Sequence, residues 1–587
     1  MDFNSLNSES IDREYESHSS CLSLSPSPFP VKPFEKAFSS LDEKMEECLH
    51  SRCKPAFYIF SGDPGSGKST TVHRFVQAWK QAGFPGDGSI LIILGTFDEI
   101  DSYRKGCGLD DWDFACVSAD AKHNAYGLGR DDSDQARVLF TTHEQVRRRM
   151  FEKGGFAAVD LFHHQGSPRS LRLWDEGLDP APPVSFSLEA VDALPAILEG
   201  IKGSADLIAA LRPLKLDKAQ RQTGHVFTVP SELRAPARDM AMALKDTGVR
   251  VHFIRALEGL SRLAGQQAII RCDNFGTPII VGVGQPLPDD LAPLIVLDAS
   301  ARLRPSYRHW ADRSCNVEFL PKATGDYSPM ELHWWSKGAG KTVLADPVER
   351  EKIVNVAVDL LNGSDEEWLV IHQRKVLPYL NNPGFCVAEE IGNRLTNKAN
   401  VRFLHWGKHL ATNQYRHIRN VLIIGGNHYT YESYEAICMA ATGRLTDIDK
   451  AAVRKVGAFE FAHHVYQAAC RSNLRQMVHE TAGTARVYLI AVNNGKRREA
   501  LKEAFLGCAI HDWSPVTKKP TKKERAIMET ISALFGRECS SITTKEIWHA
   551  CGAKDANFLK RVWTKPIIIQ FMADHGISRT GNKLIRL

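Results

Sequence analysis

The sequence predicts an α/β fold with two lobes, each built on a parallel sheet, and a small C-terminal unit. Apolar segments of strand length alternate with helical patterns in two separate stretches, and a glycine-rich turn joins the first strand to a helix. Strands that alternate with helices form parallel sheets, because each crossover helix returns the chain to the same edge. A length of 587 residues predicts roughly three or four units.

Composition and periodicity place the boundaries of these units. The N-terminal residues are rich in Ser, Asp, Glu and Pro, which favours a flexible leader. Helical patterns after a proline-rich start indicate a mostly helical insertion in the first lobe, after which the first sheet is expected to resume at 277–284 and 292–300. The predicted order is a leader (1–33), a first lobe (34–320) with its insertion at about 180–275, a connector (321–345), a second lobe (346–510) and a C-terminal unit (520–587).

The strands are predicted from apolar runs bounded by turn residues. Because ligands of parallel α/β sheets bind at the carboxyl ends of the strands, the residues that follow these runs are the first candidates for a site. In the first lobe, the first predicted strand begins at Phe57, and further strands lie within 88–97, 136–150 and 170–178. In the second lobe, the predicted strands lie within 366–376, 401–426 and 485–494.

The turn after the first strand, GDPGSGKS, has the pattern GxxxxGK[ST] of a phosphate-binding loop. Its glycines let successive N–H groups surround phosphate oxygens, and the following helix directs the positive end of its dipole toward them. Lys68 is expected to reach the β- and γ-phosphates, and Ser69 to ligate Mg²⁺. We therefore predict a site for ATP and Mg²⁺ formed by Gly62, Asp63, Pro64, Gly65, Ser66, Gly67, Lys68, Ser69 and Thr70.

Two carboxylates end the apolar strand of the segment SLRLWDEGL. Asp175 is placed to hold the metal shell and Glu176 to polarise the attacking water, as a metal-binding acid and a general base do in nucleotide hydrolysis. The alternative is that the two carboxylates simply end the strand and have no catalytic role. The phosphate loop earlier in the same lobe favours the catalytic interpretation.

Three polar residues in FAHHVYQAACRSNLR are spaced by four: Gln467, Arg471 and Arg475. This spacing predicts one helical face, which would present cations to a γ-phosphate from the second lobe. Arginines at helical spacing also form ordinary solvated faces. KGAGKT at 337–342 imitates part of a phosphate loop, but lacks the first glycine and is predicted to be a surface turn.

Composition excludes several other classes of protein. Thirteen cysteines are scattered without paired motifs, which favours reduced thiols over disulfides or structural zinc, and Cys107 and Cys116 are too few for an iron–sulfur cluster. No apolar run approaches the length of a membrane span, and no signal segment is evident, so a cytoplasmic protein is expected. A net charge of +5 says little about nucleic acid by itself.

The order of the motifs GDPGSGKST, LFTTHEQ, LWDEG, VLDAS, WLVIHQ, HWGKHLATNQYRHIRNVLIIG and YQAACRSNLR resembles that of superfamily 2 DEAD-like helicases of phage, plasmid or mobile-element type, over about residues 55–495. The resemblance implies two RecA-like lobes that close on a nucleotide and step along a nucleic-acid strand. It departs from the family at DEGL, where DEAD or DEAH is usual, and in the spacing of the last two arginines, so the arginine finger is either Arg471 or Arg475.

The resemblance also implies contacts with a nucleic-acid strand or coupling between the lobes. Asp298 to Ser300 resembles the motif that links the nucleotide state to lobe motion. For Trp406 both base stacking and core packing are open, and the run Arg147 to Arg149 would meet either phosphates or solvent. The residues implied to contact or couple to the strand are Thr141, Thr142, His143, Gly407, Thr412 and Asn413.

The tail predicts three helices followed by a β-ribbon, which is the order of a winged helix. Lys560, Arg561 and Lys565 lie on or near the third helix, so DNA is the expected partner, with RNA or a docked protein as alternatives. The sequence thus predicts an ATP-dependent helicase or translocase. The alternatives are a P-loop switch in a defence or signalling assembly that does not unwind, and a packaging motor.

Overall fold

A computed structural model describes residues 33–586, apart from 246, 274–275, 377–383, 408–413, 516–519, 537–539, 552–561 and 564. The predicted leader lies almost entirely outside this range. The predicted fold class is confirmed, with two RecA-like α/β lobes, an insertion in the first lobe and a C-terminal unit of helices and a small sheet. None of the helices in the described part of the chain is long and apolar enough to cross a membrane.

The first lobe is a seven-stranded parallel sheet with a hydrophobic core on each face. Most of its strands are buried on both sides, which explains their nearly continuous apolar sequences. In spatial order the strands are Val317–Phe319, Phe57–Phe60, Leu294–Leu297, Leu171–Asp175, Ile90–Leu94, Val138–Thr142 and Phe114–Val117. The helices are Pro33–Leu49, Lys68–Gln81, Phe97–Gly106, Ala121–Asn124, His143–Lys153 and Pro305–Arg313.

The chain leaves this sheet after Asp175, forms the insertion and returns to the sheet at Leu294. The insertion is helical, as expected, but it also contains a four-stranded antiparallel sheet with its own core. The prediction that residues 277–284 resume the first sheet is wrong, because they pair within the insertion. The strands, in spatial order, are Pro183–Ser187, Pro278–Val283, Gln267–Cys272 and Val226–Thr228, and the helices are Leu188–Leu198, Ala205–Leu211, Arg234–Leu244 and Val251–Leu263.

The second lobe is a six-stranded parallel sheet, also covered on two faces. Part of the predicted connector is the strand Met330–Trp335, which lies inside this sheet because its alternate side chains Met330, Leu332 and Trp334 are buried in the core. The spatial order is Val401–His405, Trp368–His372, Asn420–Ile424, Ala485–Ile490, Met330–Trp335 and Ala509–Asp512. The helices are Lys341–Ala345, Pro347–Asn362, Val387–Gly392, Tyr431–Thr442, Lys450–Ala469 and Gly495–Ala504.

The C-terminal unit has a hydrophobic core made of tail residues. Its sheet has three strands rather than the predicted two-stranded ribbon, because Ser541–Thr543 joins it. Much of the predicted third helix, including Lys560 and Arg561, lies outside the described residues. The described elements are the helices Lys522–Phe535, Thr544–Ala550 and Pro566–Asp574 and the strands Ser541–Thr543, Ile577–Thr580 and Lys583–Arg586.

The insertion packs against the helix Tyr431–Thr442 of the second lobe, and we call this contact the brace. Apolar residues of the insertion sheet, including Ile269 and Val281, form one cluster with Ala436 and Met439 of that helix. Beside this cluster, Arg271 donates from Nε and Nη2 to the carboxylate of Glu435 at 2.8–3.1 Å. A segment that emerges from the first lobe is therefore attached to the second.

We predict that Arg271→Ala and Glu435→Ala each destabilise the protein by about 2 kcal/mol. Removing one partner of a fully buried ion pair costs roughly 3–5 kcal/mol, and the 17% exposure of the Arg271 side chain reduces that cost. The measurement is calorimetric unfolding of both single variants and the double variant. Arg221→Ala, which breaks the more exposed pair with Asp192, is the control and should cost under about 1 kcal/mol. Strictly additive effects of the two substitutions would contradict a direct pair.

Candidate nucleotide-binding and catalytic site

The phosphate loop joins the strand Phe57–Phe60 to the helix Lys68–Gln81. Gly67 is the N-cap of that helix and has a φ of 105°, a left-handed conformation that favours glycine. Lys68 extends back over the loop, where Nζ donates to the carbonyl of Gly62 at 2.6 Å. Burial lowers the pKa of Lys68, and the nearby Asp175 carboxylate opposes this shift. The lysine is thus held at the loop, as the sequence pattern predicts.

Gly65 marks the point where the second lobe meets the loop. Its φ is +84°, and a β-carbon built on it would lie 1.8 Å from the carbonyl oxygen of Arg475. No side chain fits at this position without displacing the backbone of the second lobe. The cleft between the lobes is therefore closed directly on the phosphate loop.

Asp175 ends its strand in a buried position at the carboxyl edge of the first sheet. Tyr103 donates from its hydroxyl to Asp175 Oδ2 at 2.6 Å, and the Glu176 amide donates to Oδ1 at 3.1 Å. Burial raises the pKa of Asp175, and the bond from Tyr103 opposes that shift. Tyr103 lies on the helix Phe97–Gly106, and its sequence offered no signal for this role.

Glu176 follows in a left-handed conformation with a φ of 73°. A non-glycine residue is held there at a cost, and such residues cluster at functional sites. Burial raises the pKa of Glu176 to about 7, and the carboxylates of Glu99 and Asp175 add to the shift. A carboxylate with this pKa is suited to accept a proton near neutral pH.

Glu99 is a third carboxylate of the site and was not predicted. Its Oε2 accepts the amides of Gly95 and Thr96, both at 2.9 Å, in the capping box of the helix Phe97–Gly106. Burial raises the pKa of Glu99, and Asp175 adds to the shift. The spacing of Thr96 and Glu99 matches a capping box, which predicts the start of this helix but not a place in the site.

The arginine segment departs from the predicted helical face. The helix Lys450–Ala469 ends before Arg471, and Arg475 lies in a separate turn of 3₁₀ helix, Asn473–Arg475. Burial lowers the pKa of Arg471 to about 10, Arg475 lowers it further, and Glu176 opposes the shift. The two guanidinium groups therefore converge on the carboxylates of the first lobe through a chain turn and not through one helix.

Both lobes contribute to one cavity of about 850 Å³. Gln467, Arg471 and Arg475 line it from the second lobe, although they do not share a helix. Arg416 and the segment 476–479 also line it and were not predicted. The lining residues from the first lobe are Pro64, Gly65, Gly67, Lys68, Ser69, Thr70, His73, Asp98, Glu99, Ser102, Tyr103, Asp175, Glu176, Leu297 and Ala299.

Ser69 and Asp175 both line this cavity, and their side chains carry oxygen atoms of the kind that Mg²⁺ prefers. In the described part of the chain, no group of three or more His, Cys, Asp or Glu side chains is arranged to hold a metal ion by itself. Mg²⁺ commonly takes one or two protein ligands together with phosphates and waters. The residues present therefore fit a metal that enters with the nucleotide.

Asp63 does not present its side chain to this cavity, contrary to the prediction for the loop. Its carboxylate is fully buried and accepts from Arg302 and from the Gly325 amide. A carboxylate that is buried and bonded to these partners is not available to contact a ligand in the cavity. Any contact of Asp63 with a nucleotide would have to come from its backbone.

The residues predicted at the end of the strand Val138–Thr142 have structural contacts. Thr141 is fully buried, and its hydroxyl donates to the Val117 carbonyl at 2.7 Å, so its assignment to a nucleic-acid contact is wrong. Thr142 caps the following helix by accepting from the Gln145 amide. His143 stacks on Trp174 at 4.1 Å between ring centroids, and burial lowers the pKa of His143 to about 3. His143 thus contacts the strand that ends in Asp175, which is compatible with coupling, whereas the strand Ile90–Leu94 lies between Thr142 and that strand.

The second-lobe candidates are only partly described. Gly407 is exposed, with a φ of +100°, at the end of the strand Val401–His405, whereas Thr412 and Asn413 lie outside the described residues. Trp406 is buried in the core and donates from Nε1 to the Gly425 carbonyl at 3.1 Å, so it packs in the core. Base stacking by this side chain is therefore excluded in this conformation.

The basic run on the helix His143–Lys153 is used within the protein. Arg147 donates to the carbonyl of Asp179 at 3.1 Å, and Arg148 and Arg149 both donate to Gln145 Oε1. None of the three side chains is fully exposed. The run contributes to local structure, and contact with phosphates would require these bonds to change.

Asp298 to Ser300, which resembles a linkage motif, lies where the two lobes meet. Asp298 Oδ1 accepts from the amide and hydroxyl of Ser300, and Oδ2 accepts from the Tyr307 hydroxyl. Arg304 approaches the same carboxylate at 3.9 Å and donates to Glu460 of the second lobe at 2.9 Å. The motif is therefore connected to the second lobe through one arginine.

No protein-family model matches this chain, and no curated protein matches it. Among solved structures, it is similar to Xpd4 of S. tokodaii at 14% identity, over 81% of this chain and 99% of that chain, with a TM-score of 0.43. It is similar to S. cerevisiae Dbp5 bound to RNA and ADP BeF3 at 10% identity, over 82% of this chain and 93% of that chain, with a TM-score of 0.35.

A third similar structure is the helicase Lhr of Mycobacterium smegmatis bound to ssDNA and AMP-PNP, at 12% identity with a TM-score of 0.31. The match covers 95% of this chain and 60% of that chain. Because these identities and TM-scores are low, we infer function from the residues of the site itself.

We predict that Lys68→Ala and Glu176→Gln both abolish ATP turnover but differ in ATP binding. The lysine neutralises phosphate charge, so its loss weakens binding, whereas Glu176 acts on the attacking water and its amide variant should retain ATP. The measurement is binding of a fluorescent ATP analogue beside steady-state hydrolysis. Glu189→Gln, on the helix Leu188–Leu198 of the insertion, is the control for a surface glutamate. Equal loss of binding in both site variants would show that Glu176 is structural.

Proposed function

We propose that the protein is an ATP-dependent nucleic-acid helicase or translocase. The observation that carries this proposal is the shared cavity, in which Lys68 and Glu176 of the first lobe face Arg471 and Arg475 of the second. A site completed only when two lobes meet couples hydrolysis to their relative motion. That coupling is the physical requirement for a motor.

The side chains divide the chemistry of hydrolysis. Lys68 offsets phosphate charge, and Ser69 and Asp175 would hold Mg²⁺, which supplies charge neutralisation to the phosphates when bound. Glu176 orients the attacking water and accepts its proton. The second-lobe guanidinium groups stabilise the charge that develops on the transferring phosphoryl group.

The second-lobe contribution favours a motor over a P-loop switch. Gly65 touches the backbone of Arg475, so closing and opening of the lobes directly change the phosphate loop. A switch that acts only through assembly does not require this contact. The packaging-motor alternative gains no specific support from the described residues.

DNA is the proposed partner, with RNA as the alternative. The order of helices and strands in the C-terminal unit supports a winged helix, and Lys565 lies beside the helix Pro566–Asp574. Lys565 forms an ion pair with Glu524, so its charge is partly used within the unit. The contacts proposed for Lys560, Arg561, Thr412 and Asn413, and the mobile-element origin, stay predictions.

The proposed function is tested by measuring ATP hydrolysis alone and with single-stranded DNA, duplex DNA or RNA. A helicase or translocase should hydrolyse ATP faster with at least one of these, and the preferred one identifies the partner. A strand-displacement assay with that nucleic acid then separates unwinding from translocation. Hydrolysis unaffected by all three would favour the switch.

We predict that Arg471→Ala or Arg475→Ala lowers kcat far more than ATP affinity. A charge delivered by lobe closure acts mainly in the transition state, and an arginine finger contributes roughly 10³–10⁵ in kcat in other phosphoryl-transfer enzymes. The measurement is kcat with saturating nucleic acid beside ATP-analogue binding. Arg444→Ala, an exposed arginine after the helix Tyr431–Thr442, is the control. Full stimulated turnover in both variants would contradict a two-lobed motor.

We predict that removing residues 518–587 leaves basal ATP hydrolysis intact but weakens nucleic-acid binding. The C-terminal unit has a hydrophobic core of its own, and none of its described residues lines the catalytic cavity. Loss of phosphate contacts should also flatten the dependence of affinity on salt, because fewer counterions are released. Binding is measured at several salt concentrations. An unchanged slope and affinity would indicate that the unit docks a protein instead.

A further inference from the structure

Arg302 occupies the interface between the phosphate loop and the second lobe. It follows the strand Leu294–Leu297, and its side chain is only 8% exposed. Its Nε donates to Asp63 Oδ1 at 2.9 Å and its Nη2 to Oδ2 at 3.2 Å, and its amide donates to the Ser61 hydroxyl. One edge of the guanidinium therefore holds the beginning of the loop.

The same guanidinium holds the end of a helix in the second lobe. Nη1 donates to the carbonyl of Glu503 at 2.5 Å and Nη2 to that of Ala504 at 2.8 Å, in the last turn of the helix Gly495–Ala504. Carbonyls in the last turn of a helix lack partners within the helix, and a cation there also interacts favourably with the helix dipole. Arg302 thus supplies this helix with a cap from another lobe.

The bonds of Arg302 to Asp63 and its bonds to the helix end differ in the free energy that their loss costs. Asp63 is fully buried, so leaving its carboxylate without a cation would carry a large desolvation cost. The carbonyls of Glu503 and Ala504 can instead bond to water once the helix end is exposed. When the lobes separate, Arg302 therefore stays with Asp63 and releases the second lobe.

We propose that Arg302 is a positioning residue that ties the phosphate loop to the second lobe in the closed state. Through Asp63 it links the conformation of the loop to lobe closure, and so to the approach of Arg471 and Arg475. This inference deepens the proposed function and rests on it. It assigns a role to Asp63 that differs from the direct nucleotide contact expected from the sequence.

Arginine is required for this role because its planar fork bonds in two directions at once. Lysine keeps the charge needed by Asp63, but its ammonium is a point charge on a flexible stem and does not reproduce the fork. Arg302→Lys therefore separates charge compensation from bridging. Arg302→Ala removes both.

The test compares amide hydrogen exchange of the full-length wild type, Arg302→Lys and Arg302→Ala, each with a non-hydrolysable ATP analogue. Loss of the two bonds to the Glu503 and Ala504 carbonyls should let the last turn of the helix open more often. Amide exchange in peptides covering 500–508 should therefore be roughly tenfold faster in both variants. Arg302→Lys should bind the analogue within about twofold of wild type, since it still neutralises Asp63. Arg308→Ala, an exposed arginine on the next helix, should match wild type in both measurements.

Wild-type exchange in Arg302→Lys would show that Arg302 only compensates charge and would overturn the proposal. The lysine variant also keeps the test decisive if Arg302→Ala does not fold. Because the exchange measurement needs no turnover, it is independent of the assay for the proposed function. Absence of nucleic-acid stimulation in the wild type would refute the motor, whereas unchanged exchange would refute the role of Arg302.

Discussion

Two buried carboxylates of the first lobe, Asp63 and Asp298, need cations, and the arginines that supply them also connect the two lobes. Asp63 is fully buried and Asp298 is 1% exposed. The cations are Arg302 and Arg304, which come from one short segment after the strand Leu294–Leu297. Both guanidinium groups have donors left over, and both use them on the second lobe.

This sharing joins the two lobes in the arrangement that the structure shows. Arg302 bonds to the end of the helix Gly495–Ala504, and Arg304 bonds to Glu460 on the helix Lys450–Ala469. These bonds across the interface form only when the lobes are in contact, and the rigid fork of a guanidinium fixes their direction. The cations that compensate the buried carboxylates of the first lobe thus also contribute bonds to the second lobe. The brace adds an apolar contact and an ion pair on another side of the same interface.

Local patterns in the sequence predicted the parts of the site that lie within one segment. Spacing located the loop from Gly62 to Ser69, because a strand, a turn and a helix that are adjacent in the chain form it, although the side chain of Asp63 lies in the interior. The pair Asp175–Glu176 was located by its place at the end of an apolar strand, together with the phosphate loop earlier in the same lobe. The strand Met330–Trp335 was missed because its burial depends on neighbours about 150 residues away, Ala485–Ile490. The periodicity of the sequence around Met330 carries no information about which distant strand this segment pairs with.

The arginines show the same limit in finer detail. Spacing by four predicted a helical face, but the helix ends at Ala469, and the chain turn that follows brings Arg471 and Arg475 to the cavity. Thr141 was misassigned because a threonine at a strand end is equally suited to a surface contact and to an internal hydrogen bond. Only the position of Val138–Thr142 between two other strands makes it internal.

The charges around the cavity also constrain how a nucleotide enters. Burial and Asp175 raise the pKa of Glu99, burial and both of these carboxylates raise the pKa of Glu176, and Arg471 and Arg475 face all three. Triphosphate oxygens would compete with these carboxylates for the same cations, and they would add negative charge beside buried acids. Such repulsion is strong where little water screens it. In the proposed function, a divalent metal at Ser69 and Asp175 therefore has to accompany the nucleotide. The protein's own cations already interact with its carboxylates, so the metal supplies the positive charge that offsets the phosphates.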